Sequence, residues 1–252
     1  MNMRGILFVL PLCAGLLAGC DNKQEALQFE AARTAALKAD DPFLALDSFE
    51  QQSGDYGRDC DSLGAFLFGN FASTDKACRA RDEATRDMVL KAVEKGSVPA
   101  LVFLFDPGSK TPDVYPRDID PQKAGQAAAR LVALAESAPV DSKNQALLMR
   151  AGDVLQAGQN VLQDSRRAAA LYVKAWQAGD QRAADELVNV YHFLKDSRRT
   201  YFWAVRSKDV QQLDNRAELT GDEIIAIQKL AADSSRTDIC EMNKDIQKAS
   251  NW

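Results

Sequence analysis

The sequence has little of what catalytic and metal centres are made from. Among its 252 residues it holds one histidine, His192, and five cysteines, and no two cysteines have the Cys-x-x-Cys spacing of a zinc or redox site. It also has no nucleophile elbow, phosphate-binding P-loop or glycine-rich dinucleotide fingerprint. A general base needs a nucleophile and an orienting partner, and neither can be named for His192. We therefore expect no metal, no cofactor and no enzymatic activity.

An excess of basic residues is also missing. The chain has 31 lysines and arginines against 36 acidic residues, which gives a formal net charge of −5. Nucleic-acid-binding proteins carry a basic stripe on one face, and proteins that bind anionic lipid electrostatically carry a basic cluster. We therefore expect no nucleic acid partner and no polybasic membrane contact.

Long hydrophobic segments are absent as well. The apolar run at residues 6–19 is shorter than the roughly 20 residues of a membrane-spanning helix. It follows one cation, Arg4, and ends in small residues, which is typical of a bacterial export signal. Its end, Leu-Ala-Gly-Cys at 17–20, resembles the lipobox of bacterial lipoproteins, in which the cysteine is acylated after the signal is removed. The resemblance implies a signal peptide at 1–19 and lipidation at Cys20; an ordinary signal peptide with a coincidental cysteine is the alternative.

Lipidation and export would set where the chain works. Several acyl chains on Cys20 suffice for stable anchoring, so the resemblance implies a domain tethered at the periplasmic face of a bacterial membrane. Asp21 resembles the inner-membrane retention signal of enteric lipoproteins, which favours the inner over the outer membrane. Export also places cysteines where disulfides persist. Cys60 and Cys78 are close in sequence and flank an irregular stretch, so we predict that they pair and leave Cys240 over, although three cysteines allow three pairings.

What the sequence does contain is an internal repeat. The segment DSRR begins at Asp164 and again thirty-two residues later at Asp196. After each copy, apolar residues follow with the i, i+3, i+4, i+7 spacing of an amphipathic helix, and the aspartate stands where an N-cap belongs. The same pattern begins forty-four residues earlier at Asp120, where Pro121 suits the first helical position, and more faintly around Met88.

Each copy follows another amphipathic helix. Its apolar face is formed first by Leu147, Ala151, Val154 and Leu155, and thirty-six residues later by Ala183, Leu187, Val190 and Tyr191. Because the two offsets differ, the loop between the helices is shorter in the later repeat, and length changes of this kind belong in loops. Periods of this length indicate stacked helix pairs. We therefore predict an all-α fold, an α/α solenoid of helix–turn–helix repeats with an irregular N-terminal cap and a C-terminal helical cap; a generic helical bundle is the alternative.

The best-defined copy carries a family resemblance. AGDVLQAGQNVLQDSRRAAALYVKAWQAG, residues 151–179, resembles the Sel-one-like repeat, a relative of the tetratricopeptide repeat. The residues in register are Gly152, Gly158, Val161, Asp164, Arg167, Ala168, Tyr172, Lys174, Ala175 and Gly179. Members of this family resemble adaptors whose stacked helices present a concave surface to a protein. The matching residues are architectural, so the resemblance brings no catalytic role with it.

The remaining segments predict caps around the repeats. We assign residues 20–80 to a tether and N-terminal cap, 81–210 to the Sel-one-like repeats, and 211–252 to a C-terminal capping helix and tail.

Four local features stand out in these caps and loops. Residues 24–37 predict an amphipathic helix with Leu27, Ala31 and Ala35 on its apolar face. Residues 100–106 predict a buried helix. Thr220 and Glu223 predict a capping box that begins a helix through Ala232. Three phenylalanines in the N-terminal cap either cover the first repeat or form an apolar docking patch: Phe66, Phe68 and Phe71.

The repeats predict a binding surface more than a pocket. We expect recognition in the groove lined by the first helix of each pair, with Asn189, His192 and Tyr201 as contacts. Tyr115 is a further candidate because it lies in the long proline-rich loop 107–120, and loops of this length are often functional.

The arginines of the DSRR copies have two interpretations. Arg166 and Arg198, together with the arginines that follow them, could form a cationic ladder that meets an acidic partner. The alternative is that they pair locally with Asp164 and Asp196.

These features favour a non-enzymatic, lipid-anchored module that binds another protein. Some periplasmic lipoproteins with this repeat look like immunity proteins that neutralise phospholipase effectors of the type VI secretion system, and the resemblance implies that role here. The alternatives are an adaptor for envelope assembly or signalling and, third, a cell-wall-active enzyme.

Overall fold

The computed structural model describes residues 18–58, 71–108, 114–207 and 218–239. In these four ranges all regular secondary structure is helical, as predicted. The helices are α1 (Ala18–Lys38), α2 (Leu46–Gln52), α3 (Phe71–Lys95), α4 (Val98–Leu104), α5 (Pro121–Ser137), α6 (Gln145–Ala157), α7 (Ser165–Gln177), α8 (Ala183–Phe193), α9 (Ser197–Ala204) and α10 (Gly221–Ala232), with 3₁₀ turns at Pro116–Asp118 and Ser142–Asn144.

The chain divides into two compact units. The first comprises Met1–Ala100 with Lys110–Val114, and the second comprises Leu101–Ser109 with Tyr115–Trp252. The boundary between the units falls within α4. Position 80, where the sequence suggests that the N-terminal cap ends, lies inside α3, which is one continuous helix of 25 residues.

A buried arginine organises the first unit. Arg81 is only 7% exposed, and its guanidinium donates to the carboxylate of Glu50 at 2.6 Å and to the carbonyl oxygens of Gly54 and Tyr56, each at 3.0 Å. The same guanidinium lies 5.9 Å from the ring centroid of Phe29. A buried charge is tolerated only when it is paired and hydrogen-bonded, so these contacts hold the turn after α2 against α3.

The helix predicted at residues 24–37 is present as part of α1, but its predicted buried face is wrong. Leu27 is 65% exposed, and the side chains that are buried are Phe29, Ala32 and Ala36. The ring of Phe29 packs edge-on against Phe49 at 5.6 Å. An aromatic ring buries more apolar area than a leucine and gains from an edge-to-face partner, so α1 turns this side to the core.

Several predicted features of the first unit lie outside the described residues. These are the signal at 1–17, the side chains of Cys20, Cys60, Phe66, Phe68 and Phe71, and, in the second unit, Cys240. Cys78 is disulfide-bonded, and its partner is also outside the described part of the chain. The Cys60–Cys78 pair therefore stays a prediction.

In the second unit each helix from α5 to α10 packs against the next one along the chain, as in an α/α solenoid. The predicted register is confirmed at most of the aligned positions, although Trp176 and Ser207 among them are only half-buried. The aligned residues that are buried are Ala124, Ala127, Ala128, Leu131 and Val132 in α5, Ala168, Leu171, Tyr172 and Ala175 in α7, and Thr200, Trp203 and Ala204 in α9. The predicted buried helix α4 is likewise present, with Ala100, Leu101 and Leu104 buried.

The helix starts also follow the prediction. The side chain of Asp120 accepts the backbone N–H groups of residues 122 and 123, and those of Asp164 and Asp196 each accept the N–H three residues on at 3.0 Å. Thr220 and Glu223 form the predicted capping box, and α10 ends at Ala232. Such caps satisfy backbone donors that have no partner within the helix.

At the C-terminal ends of two helices, basic side chains at equivalent positions of the repeats bind the backbone carbonyl groups. Lys174 donates to three carbonyl oxygens around the end of α5, at 2.8–3.0 Å. Arg206, thirty-two residues later, donates to the carbonyls of Ala231, Asp233 and Arg236 after the end of α10. The last carbonyls of a helix lack intrahelical partners and carry partial negative charge, so both cations join one helix to the end of another.

A glycine permits the closest approach of α6 and α7. A Cβ atom at Gly152 would lie 2.5 Å from Cε1 of Tyr172. The ring of Tyr172 is buried, and its hydroxyl donates to Oδ1 of Asp153 at 2.8 Å. Packing against Gly152 and this hydrogen bond together fix the position of the side chain.

Within the described residues, none of the helices combines the length and apolarity needed to cross a lipid bilayer.

We expect Gly152→Ala to lower the free energy of unfolding by about 1–3 kcal/mol, because the added methyl group must push the Tyr172 ring out of a packed site. Urea denaturation followed by circular dichroism measures this. Gly221→Ala is the matched control, since nothing lies within 4 Å of its Cβ position and alanine favours a helix. Equal stability of the two variants would contradict this account of the α6–α7 contact.

Candidate functional site

The first helices of the two repeats, α6 and α8, carry a partly exposed face at equivalent positions. In α6 this face carries Ala146, Arg150, Asp153 and Ala157, and thirty-six residues later, from the N-cap of α8 onward, it carries Arg182, Glu186, Asn189 and Phe193; none of the eight is buried. The spacing i, i+4, i+7, i+11 places each set of four along one side of its helix. We name these eight residues the first-helix stripe.

Ion pairs hold the α6 part of the stripe in place. The guanidinium of Arg150 donates to Asp106, which follows α4, at 2.8 Å and to Asp153 at 2.7 Å. Asp153 uses its other oxygen to accept the hydroxyl of Tyr172. Charge-assisted hydrogen bonds of this length are stronger than neutral ones. They therefore connect α7, through Tyr172, with α6 and with the residues that follow α4.

Burial opposes ionisation at two carboxylates of this face. Burial raises the pKa of Asp153 above its usual value, against the effects of the Tyr172 hydrogen bond and the Arg150 charge. Burial also raises the pKa of Glu186, and the charge of Asp153 raises it further. Tyr172 has a pKa well above its ordinary value, because it is buried and because it faces the Asp153 carboxylate. Burial therefore disfavours the charged forms of two acidic groups of the stripe, Asp153 and Glu186.

The start of the α8 stripe is fixed by a local pair. Arg182 donates from two nitrogens to the two oxygens of Asp180, at 3.0 and 2.7 Å. This contact lowers the pKa of the buried Asp180 carboxyl, chiefly through the Arg182 hydrogen bond. The pair orients Arg182 while most of its side chain stays in solvent.

The residues predicted to contact a protein partner lie in different environments. Asn189 lies in the stripe and is exposed, and His192 is exposed near the end of α8. Phe193 closes the stripe and is 57% exposed, which is unusual for a phenylalanine, yet residue patterns did not single it out. Tyr115 is half-buried beneath the guanidinium of Arg117, 4.3 Å from its ring centroid.

The prediction that Tyr201 contacts a partner is wrong. Tyr201 is 1% exposed, and its hydroxyl oxygen accepts a hydrogen bond from Gln228 at 2.7 Å. It lies on a second helix, α9, at the position that Ala169 occupies in α7, and both positions are buried. A tyrosine at this register packs against the next helix and is not available to another molecule.

The cationic ladder is mostly neutralised inside the chain. Arg167 pairs with Glu136 at 2.7 Å, Arg198 with Glu223 at 2.5 Å, and Arg199 with Asp196 at 2.7 Å. Local pairing within a DSRR copy is thus observed at Arg199, whereas Arg198 reaches the first turn of α10. Arg166 is exposed and has no ion-pair partner among the described residues.

Sequence reasoning missed Asp106, Arg150, Asp153 and Glu186. The offset of thirty-six residues that aligned the buried faces of α6 and α8 also aligns their partly exposed faces, so this signal was available.

In the part of the chain that the structure describes, no group of three or more His, Cys, Asp or Glu side chains could hold a metal ion.

Comparison with known proteins found no matching family model, no matching curated protein and no matching solved structure.

We expect Asp153→Asn to change how stability depends on pH. Because the folded-state pKa of Asp153 is raised above 3.8, protonation favours the folded wild type, and this contribution is lost as pH rises through the raised value. The free energy of unfolding of the wild type should therefore fall relative to Asp153→Asn between pH 3.8 and neutrality. Urea denaturation across this range measures the difference, with Asp82→Asn at an exposed position of α3 as control. A difference that does not vary with pH would contradict the assignment.

Proposed function

We propose that this chain is a non-enzymatic module that binds another protein along the first-helix stripe, and that acyl chains on Cys20 tether it to the periplasmic face of a bacterial membrane. The observation that carries the proposal is the repetition of a partly exposed face at the same four positions of the two first helices, α6 and α8. A surface that recurs from repeat to repeat grows with the number of repeats, which is how stacked helix pairs bind proteins.

The chemistry of the stripe supports a protein partner. It combines arginines, carboxylates, an amide and an exposed aromatic ring, Phe193. Aromatic and arginine side chains dominate the binding energy of protein interfaces. Arg150 and Arg182 are already held by carboxylates, so little side-chain entropy is lost when they meet a partner. The side chains lie on helices, which fixes their spacing.

The family resemblance supports a more specific role. We propose that the partner is a phospholipase-type effector of the type VI secretion system and that the chain is its immunity protein. A tethered acidic binder at the membrane where such an effector acts would intercept it before it reaches lipid. Deleting the chain should make cells sensitive to an effector encoded beside it, and full resistance to every such effector would contradict this role.

The binding surface can be tested at Asn189, at the centre of the exposed part of α8. We expect Asn189→Arg to reduce recovery of the partner about tenfold, because a long charged side chain prevents close packing. The measurement is chemical crosslinking in the native envelope followed by purification of the chain and quantitative mass spectrometry. Ala170→Arg, which adds the same side chain at an exposed position of α7, should leave recovery unchanged.

Other results of this experiment would point elsewhere. Equal loss of the partner from both variants would exclude the stripe as the specific site. A partner from an envelope-assembly or wall-synthesis complex would favour the adaptor over the immunity protein. Release of fragments from peptidoglycan by the purified chain would contradict a non-enzymatic role.

The anchor can be tested at its cysteine. We expect wild-type cells to incorporate an alkyne-labelled fatty acid into the chain and Cys20→Ala cells to incorporate none, because the acyl glycerol is attached through the cysteine thiol. Cys13→Ala lies in the same apolar segment and should leave labelling intact. Labelling that survives Cys20→Ala, or that is lost with Cys13→Ala, would contradict lipidation at Cys20.

A further inference from the structure

The two DSRR copies allow one repeat to be compared with the other. Arg166 of α7 and Arg198 of α9 occupy the same position, thirty-two residues apart, directly after the capping aspartate and a serine. What one of them binds therefore indicates what the other is placed to bind.

Arg198 binds a carboxylate that arrives from the next element. Its Nε and Nη2 atoms both donate to Oε1 of Glu223 in the first turn of α10, at 2.9 and 2.5 Å. The groove around this pair has a volume of about 470 Å³ and includes Leu194 and Leu219. The segment 218–224 thus brings an acidic side chain to Arg198 and a leucine to the neighbouring apolar wall.

Arg166 borders a similar groove of about 380 Å³. We name it the Arg166 groove; its other walls are Ala169, Tyr191, Leu194, Asp196, Arg199 and Asp238. Leu194 is half-buried, so it gives the groove an apolar patch, whereas Ala169 is buried and lies beneath the surface.

The carboxylates at the Arg166 groove are already engaged. Arg199 donates to Asp196 at 2.7 Å and to Asp238 at 3.2 Å, and its own backbone N–H binds the second oxygen of Asp196. Among the described residues, no carboxylate pairs with Arg166. Of the four arginines in the two DSRR copies, Arg166 is the one whose donors the described chain does not use.

We propose that the Arg166 groove receives an acidic segment of the partner protein, with a carboxylate on the guanidinium of Arg166 and an adjoining apolar side chain against Leu194. The inference rests on the proposed protein-binding function and adds a second contact, outside the first-helix stripe. The planar guanidinium matches a carboxylate in two parallel hydrogen bonds. The pair formed by Arg198 and Glu223 is the internal example of the same contact.

The chemistry favours a peptide carboxylate over a phosphate group. Asp196 and Asp238 lie in the same groove, and their negative charges oppose a group with more than one charge. In the internal example the incoming segment also places Leu219 beside Leu194. A small phosphate headgroup has no equivalent apolar group.

The experiment uses the full chain in detergent solution and the peptide QLTGNEI, which copies residues 218–224 with Glu223 as its one carboxylate. The peptide is acetylated at its N-terminus, amidated at its C-terminus and carries an uncharged fluorophore. Anisotropy should report saturable binding of this peptide and none of its neutral counterpart QLTGNQI. We expect Arg166→Gln to weaken binding about tenfold, because it removes the charge-assisted hydrogen bonds to the carboxylate. Arg130→Gln removes the same charge at an exposed position of α5 and should leave binding unchanged.

Each other outcome would overturn the proposal. Unaltered binding by Arg166→Gln, or equal binding of QLTGNQI, would show that Arg166 does not recognise a carboxylate. Glycerol 3-phosphate binding in place of the peptide, with the same dependence on Arg166, would assign the groove to a lipid headgroup. A lower urea midpoint for Arg166→Gln than for Arg130→Gln would show that a carboxylate of the chain itself occupies the arginine.

The peptide-binding experiment and the crosslinking experiment at the first-helix stripe can fail independently of each other. If Asn189→Arg loses the partner while the peptide does not bind, only the Arg166 groove is wrong. If the peptide binds through Arg166 while crosslinking finds no partner, the proposed function is wrong and the groove remains a carboxylate-binding site.

Discussion

Everything in the second unit depends on one constraint: each helix has a single apolar side and can bury it only against its neighbours in the chain. From α5 to α9 the buried positions recur with the period of the repeat, so every helix is placed by the one before it and the one after it. Small residues let the helices approach closely, and the ring of Tyr172 takes the space that Gly152 leaves. The polar sides are thereby turned outward in a fixed order, which is why the first-helix stripe repeats.

Five charged residues of this unit bind the backbone groups at the ends of helices. Asp120, Asp164 and Asp196 satisfy the first N–H groups, while Lys174 and Arg206 satisfy the last carbonyls. Such contacts lie where helix ends leave backbone groups without partners. In the described residues, some other charged side chains of this unit do not bind the backbone at a helix end. The charged residues of the first-helix stripe and Arg166 are among them, and both proposals rest on these.

The proposed recognition depends on how the stripe holds its charges. The stripe is spread over two helices, α6 and α8. Its central contact, Arg150 between Asp106 and Asp153, holds the side chains in position before any partner arrives. Preorganised charges of both signs select a complementary partner and disfavour others. The Arg166 groove would extend this selection to the edge formed by the starts of the second helices.

The amino-acid sequence alone determined the helices of the repeats, their caps and their buried positions, because periodicity and capping are set by residues within a few positions of each other. Only the tertiary structure decided which way α1 turns, since the ring of Phe29 competes with Leu27 for a core supplied by other helices. It also decided that Tyr201 is buried and that Arg150 meets Asp106, 44 residues away, while Arg198 meets Glu223 at a separation of 25. Contacts of this range depend on which helices pack together, and that information is not carried by the local pattern around any one of these residues.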